Sequence, residues 1–192
     1  MVATQRVLRA IVPLLVLAAA LAAAPAPPSP LTAEAAVRGL LGRLLPPHVA
    51  TQFDIEHCPL SAPELAAGLT DYFALWPADA SSAPSAAVVK ICGSSGLAMA
   101  SGVRHYLWHY ANTSFSWWGD NLENLPQPGD SLPSVPAAGV RKSTTLKYRM
   151  AINSCAFGYT TPYWNLTNWI REIDLMGATL TPNSGEFPSH VY

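Results

Sequence analysis

A few short stretches of this chain hold residue types that can do chemistry. Gly93-Ser94-Ser95-Gly96 lies between an apolar run and a helix-like one, where helix N-terminal amides can hold an anion. No lysine follows the second glycine and no G-x-G-x-x-G pattern is present, so neither nucleotide fingerprint is met. The segment reads as a tight strand-to-helix turn capped by a serine. His105 and His109 stand at i and i+4, a spacing that can grip a metal. The H-E-x-x-H pattern is absent and no third ligand is suggested, so they read as a surface or half-buried pair, and no metal is expected. Two sequons, Asn112-Thr113-Ser114 and Asn165-Leu166-Thr167, are candidate glycosylation acceptors. Cys58, Cys92 and Cys155 match no zinc spacing; Cys58 and Cys92 sit at the ends of predicted strands and could bridge, or all three are buried thiols.

The composition bounds what these groups can serve. The chain has 192 residues, half of them hydrophobic and 12% charged, with a net charge of −1. That is the balance of a globular domain, with room for a fragment of a second. Lys and Arg form no run, which argues against nucleic acid or an anionic membrane as a partner. At the N-terminus Arg6 and Arg9 precede "AIVPLLVLAAALAAA", a short apolar core with an Ala-x-Ala-like exit. Residues 1–24 are expected to be a secretory signal peptide, leaving no membrane segment after cleavage.

The elements that must position the chemistry follow from periodicity. Thr32 caps a first helix whose Val37, Leu40, Leu41 and Leu44 recur at i, i+3, i+4 and i+7, and Pro46-Pro47 ends it. "TQFDIEH", "DYFALWP" and "AVVKICG" read as strands, "SSGLAMASGVRHYLWHYAN" as a second helix and "TSFSWWG" as a fourth strand. The order predicts an α+β layer over about residues 31–125. "NLPQPGDSLPSVPAAGV" follows, so residues 126–140 read as a proline-rich linker or surface loop at a domain boundary. Next come "RKSTTLKYRMAINSCAFGYTT", a strand and loop, and an amphipathic tryptophan helix. Leu166, Trp169, Ile170, Ile173 and Met176 form its apolar stripe.

"GSSGLAMASGVRHYLWHY", followed after a gap by "YRMAINSCAFGYTTPYWNLTNWIREIDLM", carries a resemblance. The R-E-I-D-x-M helix, with a Trp five residues before its Asp and an Asn-x-Cys-x-x-x-Tyr strand end, resembles lysosomal-type α-N-acetylglucosaminidases, glycoside hydrolase family 89. The likeness runs from Leu31 to Met176 and is firm from Val88. It implies an N-terminal domain of hexosaminidase-like α+β (α/β) type over 31–125. The start of a (β/α)8-barrel catalytic domain would follow over 141–177, with residues 178–192 a divergent tail. It implies retaining hydrolysis of terminal α-linked N-acetylglucosamine, as in heparan sulfate, without a cofactor. The partner would be a glycan substrate met through the parent enzyme, in the lysosome, vacuole or extracellular space. It further implies that Asn153, Cys155 and Tyr159, at the end of the first barrel strand, line the sugar pocket, where amide and phenol can bond sugar hydroxyls.

Retaining hydrolysis needs two carboxyl groups about 5–5.5 Å apart, set on the ends of different barrel strands. After the linker only Glu172, Asp174 and Glu186 are acidic. Glu172 and Asp174 are expected to face Arg171 or water on the outer helix, and Glu186 lies in the divergent tail. No catalytic pair is expected. Beyond Met176 "GATLTPNSGEFPSHVY" lacks the aliphatic strand with which the family continues, so a truncated, inactive fragment is expected. The alternative is a freestanding secreted module that binds glycan or protein through Trp117 or Trp118.

Overall fold

The computed structural model describes residues 32–79, 87–116, 119–149 and 161–179. Helix α1 (Ala33–Leu44) begins where the Thr32 side chain accepts the Ala35 N–H, and turns Val37, Leu40, Leu41 and Leu44 inward. A single turn, α2 (Pro47–Ala50), leads into β1 (Phe53–His57). A second short helix, α3 (Ala62–Ala66), opens on a reciprocal Ser61–Glu64 capping box, followed by β2 (Asp71–Pro77) and β3 (Val89–Gly93). Helix α4 (Gly96–His109) is capped by the Ser95 hydroxyl, which accepts the Ala98 N–H. Strand β4 (Val140–Thr144) and helix α5 (Leu166–Thr179) complete the described strands and α-helices. The expected α+β class is the observed one.

The sheet has the order β1-β3-β2-β4. β1 runs parallel to β3, while β2 is antiparallel to both β3 and β4, so the sheet is mixed. Strand alternation divides its side chains. Phe53, Ile55, Phe73, Leu75, Val89 and Ile91 face α1 and α4 and form the main core with Met99, Val103, Tyr106 and Leu107. Tyr72, Ala74 and Cys92 face the other way and form a smaller cluster with Cys58, Leu60 and Trp76. Cys58 and Cys92 are disulfide-bonded there, which settles the bridge left open by the sequence. Arg141 lies over the Tyr72 ring at 3.5 Å, capping the cluster from β4.

Two elements depart from expectation. No described residue of "TSFSWWG" joins the sheet. Thr113 and Phe115 are buried in alternation, yet the backbone donors around them are taken up locally. The Ser114 N–H goes to Asn121 Oδ1, the Ser116 N–H to Asp120 Oδ1 and the Thr113 N–H to the Leu107 carbonyl. The fourth strand is instead β4, so the sheet draws on residues beyond the proline-rich stretch. That stretch packs on the domain rather than hanging free, with Leu132 and Val135 in the main core. Buried Gln52 donates to the Asp130 carbonyl and accepts the Leu132 N–H, and the Tyr106 hydroxyl donates to the Pro133 carbonyl. Hydrophobic anchors every few residues override the spacer-like composition.

Candidate functional site

The most densely bonded polar site lies at the start of β2, where the Gly93–Gly96 turn passes over Asp71. The Ser94 hydroxyl donates to Asp71 Oδ1 at 2.5 Å and the Ser95 hydroxyl to Oδ2 at 2.8 Å. Arg149 pairs with the same Oδ2, and the carboxylate is almost fully buried. Ser95 also accepts the Ala98 N–H, so Asp71 lies at the positive end of α4. The turn's affinity for an anion is therefore met by the chain's own carboxylate. The serine-capped turn expected from sequence is present, and its occupant is internal. Sequence reading missed Asp71 and Arg149. Their side-chain partners lie 23 to 78 residues away, and only the strand order brings them together.

Several other carboxylates are likewise engaged. Asp174 accepts from Arg43 Nε and Nη2, each at 2.7 Å. Arg171 bonds Asp120 at 2.8 and 3.0 Å and the Ser116 carbonyl at 3.0 Å. The expectation that Asp174 would face Arg171 or water is thus corrected. The helix turns Asp174 inward onto α1 and sends Arg171 to the loop after α4. Glu64 accepts from Ser61 and pairs with Arg141, and Glu56 pairs with Lys90. The Ser61 bonds hold the Glu64 carboxyl below the ordinary carboxylate value. These carboxylates bond side chains from distant parts of the fold or cap its short elements.

Of the residues singled out in the sequence, Asn153, Cys155, Tyr159, Trp117, Trp118 and Glu186 lie outside the described residues, as does the leader 1–24. The described chain reaches Arg149 on one side of Asn153, Cys155 and Tyr159 and resumes at residue 161 on the other. The His105 and His109 rings meet tilted, with centroids 4.2 Å apart, and the His105 ring lies against Phe73. Among the described residues no three metal-binding side chains converge, and no helix is long and apolar enough to cross a membrane. Asn165 Oδ1 accepts the Asn168 N–H at 3.0 Å while Asn168 Oδ1 accepts the Asn165 N–H, a reciprocal cap on α5. Asn112 is exposed at the turn that closes α4.

Helix α5 packs one edge against the domain and leaves another open. Leu175 and Ala178 are buried, Leu175 within the main core, and Gly177 faces Leu40 of α1. On its outer side Leu166 is 75% exposed and Ile173 59%, with Trp169 and Ile170 also exposed. Met176 is half-buried. The apolar stripe read from sequence is thus mostly uncovered, and the helix is held by residues offset from it.

Residues 35–134 match the family model described as the Alpha-N-acetylglucosaminidase (NAGLU) N-terminal domain. The chain belongs to the α-N-acetylglucosaminidase family. Human alpha-N-acetylglucosaminidase is 35% identical over 144 residues, which cover 74% of this chain and 17% of the human protein. A family 89 glycoside hydrolase from Clostridium perfringens, solved with PUGNAc, superposes with a TM-score of 0.61 at 25% identity. The match covers 76% of this chain and 15% of that one. A variant of the Clostridium perfringens family 89 enzyme with two glutamates changed to glutamine, solved with its substrate GlcNAc-α-1,4-galactose, gives a TM-score of 0.62 at 25% identity. It covers 78% of this chain and 15% of that one. The likeness is therefore to a small part of enzymes several times longer.

Proposed function

We propose that this chain supplies the N-terminal supporting domain, and the first strand and helix of the catalytic barrel, of an enzyme acting on terminal α-linked N-acetylglucosamine. In this reading the chain alone performs no hydrolysis, and Asn153, Cys155 and Tyr159 form one wall of a sugar pocket completed by further barrel strands. The glycan is met through the complete enzyme. The protein works in the secretory pathway, in a lysosome, vacuole or outside the cell. The signal-like leader and the Cys58–Cys92 disulfide support that compartment, since disulfides persist where conditions are oxidising.

The observation that carries the reading is the open face of α5. Leu166, Trp169, Ile170 and Ile173 present a contiguous apolar surface on a helix whose opposite edge is fixed to the domain. Such a patch marks a place where more protein docks. Burying a fully exposed side chain of this size stabilises by about 1.5–3 kcal/mol; at the partial exposure of these four, covering them supplies roughly 3–6 kcal/mol. The test is binding of an anilinonaphthalene dye to the purified chain. Saturable binding that falls with Ile173→Glu and Leu166→Gln, at unchanged far-ultraviolet dichroism, supports an uncovered docking face. Absence of binding, or binding indifferent to both substitutions, overturns it.

A further inference from the structure

We propose that Asn112 carries an N-linked oligosaccharide. The residue opens the sequon Asn112-Thr113-Ser114, but the geometry around it carries the argument further than the motif. Asn112 is exposed and adopts φ +50°, the left-handed conformation that asparagine tolerates better than most residues. Its carbonyl accepts from the side-chain amides of Asn121 at 3.0 Å and Asn124 at 2.6 Å. The next residue, Thr113, is buried and its hydroxyl donates to the Ala111 carbonyl at 3.0 Å. The turn is held by its main chain and by Thr113, while the Asn112 carboxamide stands outside. The attachment point is thus on an exposed residue.

The second sequon is placed differently. The Asn165 carboxamide caps α5, and the next side chain, Leu166, begins the open apolar face. A glycan there would stand beside the surface proposed to be covered, whereas Asn112 lies on an exposed turn outside helix α5. The reaction at Asn112 takes an oligosaccharide from a lipid-pyrophosphate donor. A bond forms between Nδ2 and C1 of the first sugar, and the C1–O bond to pyrophosphate breaks. The electron pair leaves with the lipid pyrophosphate, and one amide proton passes to a base of the transferase.

This inference rests on entry into the secretory pathway, so the experiment separates the two. The full chain is expressed in a eukaryotic secretory host with its own N-terminus and, in parallel, behind an independent leader. Glycopeptides are mapped after treatment with peptide N-glycosidase. Modification of Asn112 in both versions, lost in Asn112→Asp and kept in Asn165→Asp, is the expected result. Modification only behind the added leader upholds Asn112 and overturns the native leader. An unmodified Asn112 in the luminal protein behind the added leader overturns the proposal, whatever the native leader does.

Discussion

Arg43 and Asp174, 131 residues apart in the chain, meet through two parallel hydrogen bonds of 2.7 Å that fasten helix α5 to helix α1. Asp174 is nearly buried while the Arg43 side chain is about half exposed, so one end of the pair is screened by water. Removing the guanidinium would leave the carboxylate buried and unpaired. Arg43→Met should cost about 1–3 kcal/mol, less than a fully buried pair would lose. Hydrogen exchange checks it: α5 amides should lose protection in Arg43→Met while β1, β2 and β3 keep theirs. Equal loss across the sheet would mean that the pair holds the whole fold and not the helix alone.

Gly102 lies where α4 crosses the sheet. A Cβ there would come within 2.9 Å of Ile91 Cγ2 and 3.4 Å of Phe73 side-chain atoms. Ile91 is fully buried and β-branched, so it has no slack to give. Gly102→Ala should destabilise by about 1–3 kcal/mol through overpacking, despite the better helix propensity of alanine. A urea midpoint unchanged or raised by the substitution would contradict this close approach.

The Tyr106 hydroxyl joins α4 to the proline-rich stretch through the Pro133 carbonyl, and its ring meets Phe53 edge-on at 5.4 Å. Burial raises the phenol well above its ordinary value. A raised folded-state pKa means that this contribution is full below the unfolded phenol's value near ~10. It is lost as pH rises beyond that toward the folded value. Tyr106→Phe should therefore cost roughly 1 kcal/mol at neutral pH and flatten the alkaline decline of the melting temperature. An alkaline limb as steep as the native one would assign that decline to other groups.

The Cys58–Cys92 bond closes a loop with a sequence separation of 34 that contains α3 and β2. Replacing both cysteines by alanine should lower stability by about 2–4 kcal/mol, mainly by freeing the unfolded chain. Chemical denaturation of the native chain with and without reductant checks it. Identical midpoints would argue against the bridge.

Legibility followed the range of the interactions. The caps at Thr32 and Ser95, the Val37–Leu44 stripe and the three strands in the 53–93 region are local patterns, and each stands in the structure as read. The proline-rich stretch misled because its few apolar residues, Leu132 and Val135, outweigh its composition once Gln52 and Tyr106 receive its backbone. "TSFSWWG" misled because alternating burial does not require a neighbouring strand when Asn121 and Asp120 side chains take the backbone donors. The Asp71 site was illegible for a different reason. Its paired serines, its arginine and its carboxylate come from three separate parts of the chain, with nothing in their spacing to link them.

The most direct test of the central claim is hydrolysis of an aryl α-N-acetylglucosaminide by the purified full chain. Asp71, Asp120 and Asp174 are bound to arginines, and Glu64 to Ser61 and Arg141. The account accordingly predicts sugar release indistinguishable from the blank. Turnover that persists through repurification, and copurifies with the chain across two chromatographic steps, would contradict the supporting-domain reading.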